Sequence, residues 1–203
     1  MSRLSFLGLL LLLFIVVPNS KLFAQQLDSA ELASKPVFTS LQEALKNPEQ
    51  VYRLNLRKQK LKKVPSEIFK LTNLQELNLS KNKLTEIPAG IENLPYLQYF
   101  DASVNDLVSL PPEIGKCIYL KRIVLNRNNI QELPATIGNL TQLEYLDLWS
   151  NSIIEFPEAI NKLSETLKEV DLRVINMNDE RQEAIRTLLP KSIIHFSRTC
   201  NCN

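Results

Sequence analysis

The chain has 203 residues, and 44% of them are hydrophobic, which is enough for one domain with a substantial apolar core. Its 4 glycines argue against a Gly-rich loop that cradles phosphate. Because 24 Lys and Arg nearly balance 22 Asp and Glu, we expect no clustered basic field and therefore no nucleic-acid partner.

Residues 1–24 have the composition of an export signal. Arg3 provides a positive start, and an apolar run follows over Leu4–Val17. That run, about 14 residues, is shorter than the roughly 20 that a helix needs to cross a bilayer. We therefore expect cleavage after Ala24 and export to the periplasm, the cell surface or the medium, with no membrane span afterwards. The alternative is an uncleaved membrane anchor. Cleavage would remove Arg3 and Lys21 but no acid, so the mature chain would have a formal charge near zero.

From Val51 onward the sequence repeats itself. Equivalent apolar residues recur every 23 positions, and the last follows after 24: Val51, Leu74, Leu97, Leu120, Leu143 and Leu167. The clearest unit begins Leu74-Gln-Glu-Leu77-Asn-Leu79. The alternation around Leu77 and Leu79 is typical of a strand with one buried face. A repeat of this length predicts a solenoid, in which each unit buries its apolar side chains against its neighbours.

The second half of each unit carries a turn and then a short inward-packing segment. Four units place an asparagine in the turn: Asn82, Asn105, Asn128 and Asn151. A buried amide can satisfy backbone groups that a tight turn leaves unpaired, so we predict a structural asparagine ladder. A hydrophobic-Pro pair follows, with Ile and Leu three and six residues later, which predicts a short helical or 3₁₀ segment. Cys117 takes a Leu position there and is predicted to be buried and unreactive.

Both ends of the array are expected to be capped, because an open solenoid exposes its core and an unpaired strand edge. Before the first repeat we predict a helix that begins at Ser40 or the residue before it. After the last repeat, a helix is predicted from Asn178 or Asp179, closed by Pro190 and followed by a short strand at Ile193–Phe196. Its predicted inward residues are Ala184, Ile185, Leu188 and Leu189. The predicted division is an export signal (1–24), an N-terminal capping segment (25–50), five repeats (51–166), and a terminal repeat with capping helix and tail (167–203).

The unit L-x-x-L-x-L-x-x-N-x-L followed by I/L-P-x-x-I-x-x-L resembles the 23-residue leucine-rich-repeat class. Related repeats occur in Ras-signalling scaffolds and in many bacterial repeat proteins, and the likeness here is to the bacterial exported type. It extends from residue 51 to about residue 190. The resemblance implies an α/β fold, a right-handed horseshoe-shaped solenoid with a parallel sheet on its concave face and short helical or 3₁₀ segments on its convex face. Gln59 departs from the pattern, since it replaces Asn in the first unit.

Residues that flank the buried pair of each strand are free of core packing, so specificity can reside in them. In the middle units they form an aromatic and apolar island bordered by charges. The candidate binding residues are Tyr99, Asp101, Val104, Arg122, Val124, Arg127, Tyr145, Asp147 and Trp149. Tyr, Trp and Arg often carry the binding energy of protein interfaces, so we predict a protein or peptide partner here. The alternatives are carbohydrate stacking on the aromatic rings, aromatic rings that only cover the sheet, and a structural envelope protein that associates with itself.

The sequence predicts no enzyme, no cofactor and no metal site. No nucleophile motif such as G-x-S-x-G is present. His195, Cys200 and Cys202 offer three donors, but in C-x-C spacing near the chain end, so a disordered or disulfide-linked tail is favoured over a metal site. The aspartates at 101, 147 and 171 are expected to form a solvated column rather than an acid–base pair.

Overall fold

The computed structural model describes residues 25–197. Within them the chain forms one eight-stranded parallel sheet in which each strand pairs with the next along the sequence. The strands are β1 (Val37–Phe38), β2 (Arg53–Asn55), β3 (Glu76–Asn78), β4 (Tyr99–Asp101), β5 (Arg122–Val124), β6 (Tyr145–Asp147), β7 (Glu169–Leu172) and β8 (Ile193–Phe196). This sheet confirms the predicted solenoid arc. The expected signal (1–24) and the Cys200 and Cys202 tail lie outside the described residues.

The register of the sheet follows the sequence period. Leu54 pairs with Leu77, and Leu77 pairs with Phe100, so the inner residue of each strand stacks on its equivalent in the next coil. The chain returns between strands through 3₁₀ segments at Ser66–Lys70, Ala89–Asn93, Pro112–Lys116, Ala135–Asn139 and Glu158–Leu163. A proline in extended conformation immediately precedes each of them, so the missing proline N–H falls where the segment has no bond to make. No helix within residues 25–197 has the length and apolar character needed to cross a bilayer.

The core is a continuous column of Leu and Ile between the sheet and the 3₁₀ segments. Phe100 is its largest fully buried side chain, and Cys117 fills a Leu position with no exposed area. The Cys117 thiol donates to the carbonyl of Ile91 at 3.3 Å, and burial raises its pKa to about 12. The thiol therefore stays protonated at neutral pH, which fits the prediction of a buried, unreactive side chain.

The turn asparagines link each coil to its neighbours. Asn128 shows the arrangement: its amide nitrogen donates to the carbonyls of Leu125 (2.7 Å) in its own coil and Ala102 (3.0 Å) in the preceding coil. Its oxygen accepts the N–H of Leu107 at 3.1 Å. The same three bonds recur at Asn82, Asn105 and Asn151. Each amide thus satisfies backbone groups of two coils at once.

The segments at the two ends agree with the sequence expectation only in part. Helix α2 (Leu41–Ala44) begins after Ser40, whose hydroxyl accepts the N–H of Glu43, but it spans a single turn before a 3₁₀ turn at Pro48–Gln50. Helix α3 (Asp179–Leu188) is capped by Asn178 as predicted, and β8 extends the sheet. Of the four residues predicted to face inward, Ile185 and Leu189 are buried and Leu188 is partly buried. Ala184 is exposed, so the expectation for that residue was wrong. Helix α1 (Ser29–Ser34) and strand β1 were not expected.

We predict that Asn128→Ala lowers the free energy of unfolding by about 2–4 kcal/mol, because it leaves a buried N–H and two carbonyls without their partner. Urea titration followed by circular dichroism measures the change. The adjacent Asn129 is exposed, so Asn129→Ala is a matched control and should stay within about 0.5 kcal/mol of the native chain. Equal losses in the two variants would contradict a ladder that joins the coils.

We also predict that Gly138→Ala is destabilising by about 1–3 kcal/mol, because a Cβ there would overlap the carbonyl oxygen of Ala159 in the next coil. Gly90→Ala is the control in the same kind of segment. Its Cβ would meet only the ring of Phe69, a side chain that can rotate away, and we expect a loss below about 1 kcal/mol. Thermal unfolding of both variants measures their stability. A larger loss of stability for Gly90→Ala than for Gly138→Ala would show that close backbone approach does not limit coil stacking.

Candidate binding surface

The sheet register brings most of the predicted surface residues together in rows across β4, β5 and β6. Tyr99 lies beside Arg122, and Arg122 lies beside Tyr145. The next row consists of Asp101, Val124 and Asp147. Val104, Arg127 and Trp149 lie in the turns that follow these strands. Of the nine residues, only Asp147 is buried, so eight offer some of their surface to solvent.

Two arginines of this surface lie over aromatic rings of the next coil. The guanidinium carbon of Arg122 is 3.7 Å from the centroid of the Tyr145 ring, and that of Arg127 is 4.6 Å from the Trp149 ring. Both arginines are exposed, and neither takes part in an ion pair among residues 25–197. The rings orient the two guanidinium groups, whose N–H edges have no carboxylate partner in the described chain.

Two other arginines of the concave face, Arg53 and Arg173, behave differently. Arg53 donates to the carboxylate of Glu76 at 2.6 Å, and Arg173 donates to Asp171 at 2.5 Å. These two pairs lie on β2–β3 and at the end of β7, on either side of the arginine–aromatic pairs. Because the donors of Arg53 and Arg173 are already used within the chain, these two arginines are less available to a partner than Arg122 and Arg127, which lie between them.

The aspartate column is not solvated as the sequence analysis expected. Asp147 and Asp171 are buried, and each accepts the N–H of the residue two positions later, Trp149 or Arg173, at 3.0 Å. The residue that follows the inner apolar residue of most strands makes the same bond: Asn55, Asn78, Asp101, Asp147 and Asp171. The side-chain oxygen of a short polar residue there accepts an N–H of the turn and so closes it, and the turn shields the side chain from solvent.

These surroundings move the pKa of the two carboxyl groups in opposite directions. Burial raises the pKa of Asp147 above its usual value, against the opposing effect of the bonds from Asn126 and Trp149. Burial also acts to raise the pKa of Asp171, but the hydrogen bonds and charge of Arg173 outweigh it and hold that pKa below its usual value. Asp147 therefore belongs to the support of the surface rather than to its exposed part.

The turn residue next to the surface has a left-handed backbone in every coil. The residues are Lys58, Lys81, Val104, Arg127, Ser150 and Val174, with φ between 55° and 60°. A β-branched residue is strained in this region, which favours Gly or Asn. Val104 is thus a residue that the fold alone does not favour, and it lies at the edge of the candidate surface.

The segment before the first repeat covers one end of the concave face, which the sequence analysis missed. Leu32 of helix α1 is 2% exposed, the Ser29 hydroxyl is 3.2 Å from the Tyr99 hydroxyl, and Arg53 donates to the carbonyl of Ala33 at 3.1 Å. The helix begins with a capping box at Asp28 and Glu31, which is the sequence signal that could have revealed it.

Two buried glutamines hold the chain that leads into α1. Gln75 accepts the N–H of Leu27 at 2.9 Å and donates to the carbonyl of Gln25 at 2.8 Å. Gln98 donates to the carbonyl of Leu27 at 2.8 Å and to the Gln75 side chain at 2.7 Å. Later coils carry charged residues at the same position: Lys121, Glu144 and Lys168. The covering segment also reaches one of these later coils, where the Gln26 side chain donates to the Gln142 side chain at 3.3 Å.

A cavity of about 390 Å³ lies between α1 and strands β2–β5. Leu32 and Ala33 line it from the helix, and Tyr99, Arg122 and Val124 line it from the sheet. Its wall is mostly apolar, with the Arg122 guanidinium on the side that leads to Tyr145. The cavity is therefore continuous with the arginine–aromatic pairs.

The remaining chemical candidates have structural partners. His195 lies on β8, and its ring nitrogen is 3.0 Å from a Glu169 carboxylate oxygen, with both side chains partly exposed. Within residues 25–197, no three His, Cys, Asp or Glu side chains converge as metal ligands would.

Comparisons with known proteins agree with this architecture. A family model described as leucine rich repeat matches residues 49–107, and a second such model matches residues 142–163. The chain is similar to a leucine-rich-repeat protein of Leptospira interrogans, with 32% identity and a TM-score of 0.64, over 80% of this chain and 46% of that one. No curated protein matches.

The chain is also similar to the ectodomain of the membrane receptor kinase GASSHO1/SCHENGEN3 from Arabidopsis thaliana, whose structure contains Casparian strip integrity factor 2. Here the identity is 26% and the TM-score 0.57, over 72% of this chain and 18% of that one. The chain thus spans less than half the length of either structure. The 23-residue period, the single parallel sheet built from it and these matches lead to one conclusion: the chain belongs to the leucine-rich-repeat family.

Proposed function

We propose that this protein is an exported, non-catalytic binding module that takes a protein or peptide partner on the centre of its concave face. The main support comes from Arg122 and Arg127, two exposed arginines that stack on Tyr145 and Trp149. Arg, Tyr and Trp are the residue types that most often dominate interface energy, and here they adjoin one another on neighbouring strands.

The energetics of the surface support a partner. The core and the turns do not use Tyr145, Trp149, Arg122 or Arg127, so the fold would tolerate smaller side chains at these positions. Partly exposed aromatic rings and a strained Val104 carry a cost in the free protein. A partner that covers the rings and accepts hydrogen bonds from the guanidinium groups offsets that cost.

The cavity beside α1 extends this site. An apolar side chain of the partner would enter between Leu32 and Val124, while the adjacent main chain meets Arg122. Helix α1 is then one wall of the site, and the partner lies across β5 and β6 rather than over the covered end at β2–β4. This placement makes a polypeptide partner a better fit than a carbohydrate, which would bring few apolar groups for the cavity.

The comparisons support an interaction role without supplying the partner. The similar plant ectodomain was solved in complex with Casparian strip integrity factor 2, but this chain spans only 18% of that chain. Export is supported by the composition of residues 1–24. The protonated, buried Cys117 and the structurally engaged aspartates support a role that does not depend on catalysis.

We predict that the Tyr145→Ala/Trp149→Ala double variant loses its partner. The native chain, immobilised and exposed to envelope and medium extracts, should retain at least one protein that the variant does not. Because two interface anchors are removed, the affinity for that protein should fall by about 30-fold or more, measured by surface plasmon resonance.

The control is a second aromatic pair that does not lie on the concave strands. Tyr96 and Tyr119 stack with ring centroids 6.0 Å apart and precede β4 and β5. Tyr96→Ala/Tyr119→Ala should retain the partner with native affinity. If both double variants retain it, the site assignment is wrong, and if the native chain retains only further copies of itself, self-association replaces the proposal.

A further inference from the structure

The first two coils carry a cluster of cations that the near-neutral total charge conceals. Its members, here called the basic corner, are Arg57, Lys58, Lys60, Lys62, Lys63, Lys81 and Lys83, and all seven are exposed. The sequence-based expectation that no basic field exists was wrong for this part of the chain. Among residues 25–197, none of the seven takes part in an ion pair.

Coil stacking fixes these cations close to one another. The N–H of Lys58 bonds to the carbonyl of Ser80 at 3.0 Å, which places Lys58 beside Lys81. The N–H of Lys83 bonds to the carbonyl of Leu61 at 2.8 Å, which places Lys83 beside Lys60. Adjacent strands are about 5 Å apart, so like charges face each other across the two coils.

The fold gains nothing from lysine at these positions. Lys58, Lys60 and Lys81 have φ values of 60°, 58° and 57°, a backbone region that favours Gly or Asn. Mutual repulsion adds to this cost in the free protein. A counter-charged partner would remove the repulsion.

Charge is distributed unevenly along the solenoid. Residues 57–83 contain 8 Lys and Arg but only 2 Asp and Glu, whereas residues 84–169 contain 6 Lys and Arg and 12 Asp and Glu. The molecule is therefore a charge dipole with its positive end at the first two coils. An anionic surface would attract that end and repel the rest.

The composition of the basic corner favours a flat anionic surface over other polyanions. Six of the seven side chains are Lys, which is depleted at protein interface cores, and the corner contains no aromatic ring on which a base could stack. A linear polymer would follow an unbroken track of cations from coil to coil. The position of Lys58 and Lys81 is Val104, Arg127, Ser150 and Val174 in later coils, so only one of the four later coils continues the track. Clusters of four to eight Lys and Arg beside a membrane helix or on an amphipathic helix bind anionic lipid, and the basic corner has the same number of cations.

We propose that the basic corner adsorbs the protein to the surface of a bilayer containing anionic lipid. Adsorption turns the acidic coils away from the membrane. The arginine–aromatic pairs, Arg122–Tyr145 and Arg127–Trp149, then stay open to their own partner. This inference does not depend on the proposed function, since it rests on charge in coils 1 and 2.

Vesicle co-sedimentation of the full chain tests the proposal. Vesicles with about 30 mol% phosphatidylglycerol in phosphatidylcholine should bind the native chain, and pure phosphatidylcholine vesicles should not. Replacing four corner lysines, Lys58, Lys60, Lys62 and Lys63, by Gln should lower the partition coefficient by about 30-fold or more. Binding should also weaken steeply as salt rises from about 50 to about 200 mM.

The matched control replaces Lys116, Lys121, Lys162 and Lys168 by Gln, which changes the net charge equally but outside the corner. It should partition within about threefold of the native chain. Both variants retain residues 1–24, so any contribution of that segment cancels, and Lys81→Gln/Lys83→Gln provides a second test if the fourfold variant unfolds. Equal losses in corner and control variants would overturn the proposal. So would retention by heparin or duplex DNA of a chain that does not bind the anionic vesicles.

Discussion

Coil-to-coil stacking is the constraint on which the rest of this structure depends. One 23-residue unit contributes about seven buried apolar side chains, and the free energy of burying them is roughly matched by the entropy cost of ordering the unit. The strand, the turn and the 3₁₀ segment of a coil all bond to the adjacent coil, as Asn128 does when its amide reaches back to Ala102. The close approach of Gly138 to Ala159 is the same constraint on the convex side.

Stacking also determines which side chains are free for other work. Most coils supply an inner apolar pair, a turn amide and a short polar residue that closes the turn. Asp147 shows that even a carboxylate on the concave face can have this last role. Few positions of each coil are left without a core or turn contact, and the residue types at these positions differ from one end of the solenoid to the other. The first coils carry the basic corner and are covered by α1, while the middle coils carry the arginine–aromatic pairs.

Much of the fold could be predicted because its determinants are local or periodic. The period predicted the strands and their order, Ser40 and Asn178 marked two helix starts, and Cys117 was predicted to be buried from its place in the repeat. The placement of helix α1 could not be predicted, because Leu27, just before the helix, is held by Gln75 and Gln98. These contacts span 48 and 71 residues and follow no period. The burial of Asp147 depends on turn geometry, and a polar residue at the same position of successive repeats does not specify that geometry. The period predicts that Arg122 and Tyr145 are neighbours, but the 3.7 Å stack between them depends on side-chain orientation.

If Tyr145 and Trp149 serve binding, as proposed, the fold should not need their side chains. The free energy of unfolding decides this, measured by urea titration for Tyr145→Ala/Trp149→Ala beside Leu146→Ala, which removes the core side chain between them. We expect a loss below about 2 kcal/mol for the surface pair and about 2–5 kcal/mol for Leu146. A loss for the surface pair as large as that for Leu146 would mean that these aromatic side chains hold the sheet together, and the proposed role of the surface in binding would then be wrong.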